Sequence, residues 1–164
     1  MKSIATIALA AITVQPLAAQ QPAGQGPASA TTGISAEEQA VRAVLARYKA
    51  AIEKLDAAGT EQLFTPDSTI FETGGVEGNY ANYLSHHLGP ELHEFKSFAF
   101  SDYKVAVRFE GPVALATETY NYRIETKSGE IAERRGVATS VLKKIGGQWK
   151  ILSMHNSARK PKGS

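Results

Sequence analysis

The sequence contains no cysteine, so disulfides, thiolate metal sites and cysteine nucleophiles are excluded together and stability has to come from packing. It also lacks an excess of either charge: 18 Lys plus Arg stand against 16 Asp plus Glu. Without a strong field of one sign, nothing steers nucleic acid or an anionic membrane to the surface. The short string Arg159-Lys160-Pro161-Lys162 reads as a solvated tail. No apolar run is long enough to span a bilayer as a permanent helix, so no membrane span is expected in the mature form. Nucleophile elbows, Walker loops, dinucleotide fingerprints and internal repeats are missing as well. What remains, in 164 residues, is enough length for one domain with a real hydrophobic core.

The N-terminus has the layout of an export signal. Lys2 precedes the apolar run from Ile4 to Val14, which ends at Pro16 and Leu17-Ala18-Ala19. Residues 1–19 are therefore expected to be a signal peptide cleaved after Ala19, with a periplasmic or secreted destination. Residues 20–34, made of Gln, Pro, Gly, Ala, Ser and Thr with Ile34 at the end, have little to bury and are expected to form a flexible leader. A single domain over 35–158 and a basic tail over 159–164 complete the predicted organisation.

Within the domain, Ser35 with Glu38 three residues on forms a capping-box pattern. It opens a helix carrying Val41, Val44, Leu45, Tyr48, Ile52 and Leu55 at helical spacing, and Gly59 stops it. A short helix is expected from Thr60 to Phe64, closed by Pro66-Asp67, with a strand beginning at Thr69-Ile70-Phe71. Tyr80, Tyr83, Leu84, His87 and Leu88 share one stripe of a third helix that ends at Gly89-Pro90. From Phe95 the texture turns to long β-type runs separated by Gly111-Pro112, Ser128-Gly129 and Gly146-Gly147. Helices followed by an antiparallel meander predict an α+β fold, a cone-shaped curved sheet wrapped around the N-terminal helices.

Several local strings carry a resemblance: Arg47-Tyr48-Lys49-Ala50-Ala51-Ile52, Leu63-Phe64-Thr65-Pro66-Asp67-Ser68-Thr69-Ile70, Gly78 before the third helix, and Gly147-Gln148-Trp149-Lys150-Ile151. With the order of elements, they make the chain resemble the nuclear transport factor 2-like superfamily, in particular its SnoaL-like and ketosteroid-isomerase-like branches. The resemblance implies a bent sheet around a long helix, a pocket at the wide end that takes a small molecule, and homodimerisation through the outer sheet face. It implies no single activity, since such a fold hosts isomerases, cyclases, dehydratases and binders. Carried over by residue, Glu72 falls where the isomerases place their carboxylate base, and Tyr48 where they place the tyrosine that donates to the developing oxyanion. That division of labour suits enolisation, which needs a base near the proton and a neutral donor near the carbonyl oxygen. The third member of the isomerase set, a neutral buried acid, would fall near Thr139 or Ser140, and neither is an acid.

Three of the histidines, His86, His87 and His93, cluster around Gly89-Pro90, and the fourth is His155. On a helix His86 and His87 point about 100° apart, and His87 shares the stripe with Tyr80 and Tyr83. By plain strand alternation His155 shares a face with Trp149, Ile151 and Ser153. Should that face be concave, His155, His87 and Glu72 converge, as an acid–base site or, with His93, as a copper or zinc site. The alternative places His86 and His93 on the surface and leaves His87 and His155 to satisfy buried hydrogen bonds. Tyr80 and Tyr83 are candidate ligand-binding residues with apolar bodies and polar tips, and Arg135 would favour an acidic ligand if it points inward. Tyr120 and Tyr122 line the cavity in one reading and, with Val137, pack at a dimer face in the other. Three functions fit the sequence. The first is an exported small-molecule pocket protein of isomerase or lyase type, with Glu72, Tyr48 and His155 as catalytic candidates. The others are a periplasmic metal-binding protein and a non-catalytic dimeric module.

Overall fold

A computed structural model of the chain describes residues 34–161, and the expected export segment, nearly all of the leader and the end of the basic tail lie outside the described residues. The first helix, α1 (Ala36–Glu53), begins where the capping pattern places it: the Ser35 hydroxyl accepts from the Glu38 amide at 3.1 Å. The box is half closed, because the Glu38 side chain turns to the Arg42 guanidinium at 2.7 Å instead. Leu55, at φ 55°, and Gly59, at φ 76°, turn the chain back after α1. A 3₁₀ turn (Thr60–Leu63) then feeds β1 (Phe64–Glu72).

Strand β1 starts earlier than the proline predicts. Its pairing is interrupted between Phe64 and Thr69, so Pro66 lies in a stretch where no ladder amide is needed. A short β2 (Gly75–Gly78) folds back on the end of β1, and Asn79 caps α2 (Tyr80–Tyr83). The expected stop at Gly89-Pro90 is bypassed. A wide π-helical turn (Leu84–Leu88), in which the Gly89 amide reaches the Leu84 carbonyl, lets the helical path continue into α3 (Gly89–Glu94) with Pro90 in its first turn.

Four long strands follow as an antiparallel meander: β3 (Phe95–Glu110), β4 (Val113–Thr126), β5 (Ile131–Ile145) and β6 (Gln148–Arg159). The sheet order is β2-β1-β6-β5-β4-β3, and β1 joins β6 in parallel, so the curved, unclosed sheet is mixed where the sequence predicted an antiparallel one. Register shifts bend it at two places that matter below. One lies between Ser101 and Lys104 on β3, where Asp102 adopts φ 51° and accepts from Asn121 at 2.7 Å. The other lies where Leu142 and Val141 pair with Ile151 and Ser153, leaving Leu152 as the extra residue of a bulge on β6.

Helix α1 lies in the concavity and buries Val41, Val44, Leu45 and Ile52 in one core with Ala114, Ala116, Leu142, Trp149, Ile151 and Met154. Each large apolar side chain there contributes about 1.5–3 kcal/mol of transfer free energy. The helix start is tied to the sheet by Glu37, which accepts from Trp149 Nε1 at 2.7 Å and from Lys144 Nζ at 2.6 Å.

Candidate active site

The inward register of four strands and the turn of the short helices enclose a cavity of about 130 Å³. Alternation on β4 sends Tyr120, Tyr122 and Ile124 into it, and β3 contributes Phe98 and Phe100. Beyond the bulge, β6 contributes Asn156 and Ala158. From the other side come Tyr48 and Ile52 of α1, Glu72 at the end of β1, Tyr83 of α2, and Glu91 and Leu92 of α3. Aromatic rings form a large part of the wall, and the polar side chains of Glu72, Thr73, Glu91, Asn156 and Ser157 are set among them.

Glu72 is held in this wall by a side-chain hydrogen bond and by strand pairing. The Tyr83 hydroxyl donates to its Oε2 at 2.5 Å, and β6 holds its backbone in register opposite Asn156. Tyr83 is a fixed donor, because burial, followed by the negative charge around it, pushes its hydroxyl far above the usual tyrosine range. Tyr48 stands edge-on to Phe64 and Tyr80. Burial likewise pushes its hydroxyl well above the usual range, so it stays a neutral donor over the whole working range of pH. The wall thus combines one oriented carboxylate with neutral hydroxyls, which is what proton transfer beside a carbonyl requires.

His87 sits beside this pair and outside the cavity. Its Nδ1 lies 3.2 Å from Glu77 Oε2 and its Nε2 3.4 Å from Glu91 Oε1, and its ring leans on Tyr83 at 5.2 Å. Burial alone would lower its pKa, but the Glu77 hydrogen bond and the charges of Glu91, Glu72 and Glu77 outweigh it and the net shift is upward. Glu91 is raised too, because its own burial outweighs the His87 charge. A histidine with a raised folded pKa stabilises the protein fully below its unfolded value near about 6.5 and loses that contribution as pH rises through the folded value. With its side chain 30% exposed, the clamp is worth roughly 0.5–1 kcal/mol. The stability difference between the wild-type protein and His87→Ala, measured by urea unfolding, should therefore be largest near pH 5.5 and shrink by pH 8.5; a pH-independent difference would contradict the clamp.

One acid of the interior was missed by reading the sequence. Glu118 points inward from β4 among Ala114 and Ala116, is 7% exposed and accepts from the Tyr103 hydroxyl. It lines a smaller void of about 30 Å³ that shares Tyr48, Tyr120 and Asn156 with the main cavity. Burial raises its pKa against the pull of the Tyr103 bond. The signal was available: a carboxylate at an inward register between Ala116 and Tyr120 of an alternating strand is out of place unless it has work or a partner.

Other candidate residues fall elsewhere. His155 points away from the cavity and is exposed, edge-on to Phe71 on the outer face, because the Leu152 bulge reverses the alternation and sends Met154 and Asn156 inward. It cannot join Glu72 and His87 at one centre. Arg135 is also on the outer side, exposed beside Val137, and its neighbour Arg134 takes the inward register opposite Tyr122. Tyr80 is a core residue at 2% exposure, stacked on Phe64 at 3.7 Å and bonded to Thr60 at 2.7 Å, and it does not line the cavity. His93 is exposed on α3 and takes part only through its carbonyl, which accepts from Lys127. The copper or zinc set of His87, His155 and His93 is accordingly not assembled. Among the described residues no group of three or more His, Asp or Glu is placed to hold a metal ion. Tyr120 and Tyr122 belong to the cavity reading, whereas Val137 is exposed on the outer face.

Gly136 is what makes room for Tyr120. The two residues are paired across β5 and β4, and a Cβ at Gly136 would overlap the Tyr120 ring. Gly136→Ala should push that ring into the cavity, costing about 1–3 kcal/mol of stability and weakening any cavity ligand. Calorimetric unfolding and the crystal structure of the variant check both; an unmoved Tyr120 would refute the first.

Comparison with known proteins agrees with this geometry. The family model described as SnoaL-like domain matches residues 41–160. No curated protein matches. Among solved structures, the chain is similar to a nuclear transport factor 2-like superfamily protein from Salmonella enterica, with TM-score 0.67, 22% identity, and 76% of this chain and 92% of that one covered. It is similar also to a ketosteroid isomerase candidate from Shewanella frigidimarina, with TM-score 0.61, 26% identity, and 72% and 94% covered. A scytalone dehydratase candidate from Novosphingobium aromaticivorans superposes with TM-score 0.66 at 14% identity, covering 78% and 94%. A curved mixed sheet around one helix, an aromatic cavity with a carboxylate in its wall, and a family match over most of the chain lead to one conclusion: the protein is a member of the SnoaL-like family.

Proposed function

We propose that the protein binds a small, flat organic molecule in the aromatic cavity and acts on it as an isomerase or lyase, with Glu72 as the base. The observation that carries this reading is the Tyr83 hydroxyl held 2.5 Å from Glu72 Oε2 in the cavity wall. One oxygen is engaged by a donor that fixes the carboxylate's orientation, and a positioned carboxylate beside an apolar ligand is the minimum for abstracting a proton next to a carbonyl. Tyr48 is assigned as a neutral donor toward the developing oxyanion, and Glu118 as a second, deeper acid able to donate when protonated. Isomerase and dehydratase names among the structural neighbours are consistent with this class of chemistry.

The test is deuterium exchange next to the carbonyl of a panel of cyclic ketones and enones in D₂O, followed by NMR. Exchange above the buffer rate supports the enzyme. Compounds that bind without any accelerated exchange would reduce the reading to a pure binder.

Two further parts of the proposal concern the context. Export rests on the layout of residues 1–19, and N-terminal sequencing of the periplasmic or secreted product should begin at Gln20. Pairing of two copies through the outer sheet face rests on exposed Val137, and sedimentation of Val137→Glu should show a smaller species than the wild-type chain.

A further inference from the structure

The cavity wall carries unbalanced charge. Its lining includes the carboxylates of Glu72 and Glu91 and contains no lysine, arginine or histidine. Nearby cations lie outside this lining, among them Arg134, which takes the inward register opposite Tyr122. Lys49 pairs with Glu53 at 2.6 Å and lies over the rings of Phe100 and Tyr103, while His87 stands between Glu77 and Glu91. The remainder of the wall combines ring faces and edges, among them Tyr48, Tyr83, Phe98, Phe100, Tyr120 and Tyr122, with aliphatic and neutral polar side chains.

This arrangement discriminates among ligands by charge. A neutral ligand would strip water from Glu72 and Glu91 and return little for it, since a desolvated carboxylate with few donors is costly. An anion would add like-charge repulsion. A cation with an apolar body meets the negative faces of the rings and adds a counter-charge on the cavity side of the carboxylates, where the lining has none. The tyrosines feel the same field: after burial, the charge of Glu72 is among the causes that raise the hydroxyls of Tyr48 and Tyr120, while at Tyr122 burial raises the hydroxyl and the Arg134 charge opposes Glu72.

We propose that the cavity selects an organic cation, a protonated or quaternary amine on a flat apolar body, with half-exposed Glu91 as its counter-ion. This rests on the pocket reading above and narrows its ligand to an amine-bearing compound, with Glu72 kept as the base. Glu91 is suited to the role because it lines the cavity and His87 holds its carboxylate from outside.

Calorimetric titration of the full chain at low salt with benzylammonium, benzyl alcohol and benzoate, three probes of nearly one shape, tests the selection. Benzylammonium should bind at least about tenfold more tightly than benzyl alcohol, benzoate should bind least, and Glu91→Gln should remove most of the advantage while leaving the circular dichroism spectrum unchanged. Benzyl alcohol or benzoate binding as tightly as benzylammonium overturns the charge selection and leaves the pocket reading standing. An advantage that survives Glu91→Gln overturns the counter-ion assignment. Failure of all three probes to bind overturns the selection and the pocket reading together.

Discussion

Glu72→Gln is expected to lower catalysed exchange by roughly 10²–10⁴-fold while leaving the fold and ligand affinity close to those of the wild-type chain. The amide keeps the shape of the side chain and still accepts the Tyr83 hydroxyl through its oxygen, so the wall of the cavity is preserved. What it loses is the ability to take a proton. The informative comparison is therefore between exchange rate and binding, measured on the same compound by NMR and by calorimetry. A variant that binds as before and exchanges as before would remove Glu72 from the chemistry. A variant that no longer binds would show that the carboxylate serves recognition first.

The second large effect is expected at Tyr80, for stability. Its ring is stacked on Phe64 at an interplanar angle of 3°, stands edge-on to Tyr48, and its hydroxyl donates to Thr60. Through these contacts one side chain joins α2 to α1, to the 3₁₀ turn and to the start of β1. Burial pushes its hydroxyl up to about 12, so it remains a donor throughout the accessible range. Tyr80→Ala should cost about 3–5 kcal/mol by leaving a cavity in a close-packed core. Tyr80→Phe should cost about 0.5–1.5 kcal/mol, the net worth of one hydrogen bond. Denaturant unfolding of the two variants separates packing from hydrogen bonding, and equal losses would contradict this division.

Much of the architecture was legible because it is written locally. The Ser35 cap, the apolar stripe of α1 as far as Ile52 and the glycine turns between the last four strands are decided within a few residues and appear where the sequence places them, whereas Leu55, expected on the same stripe, falls beyond the end of the helix. Three features escaped because they depend on partners distant in sequence or on a single inserted residue. The parallel pairing of β1 with β6 joins opposite ends of the domain and leaves no local mark. The helix passes Gly89-Pro90 because a π turn absorbs the proline, a compensation that propensity does not register. The bulge at Leu152 has the largest consequence. Alternation is a parity argument, so one extra residue moves His155 to the outer face and gives its place to Asn156. Glu118 shows the converse: β4 keeps unbroken inward alternation from Ala114 to Ile124, and there parity alone locates a buried carboxylate correctly.

The parallel union of β1 and β6 also sets an order of events. Glu72 owes its position to Asn156 and its neighbours on the last strand, so this carboxylate cannot be seated until the C-terminal residues have been synthesised and have docked. Contacts between distant parts of a chain are slow to form, because loop-closure entropy must be overcome before they are rewarded. A nascent chain would thus hold its helices and early strands while its cavity is still incomplete. The cavity is then a report on completion: ligand binding reads out the final pairing of the sheet, and a chain shortened at β6 would lose recognition before it loses most of its secondary structure.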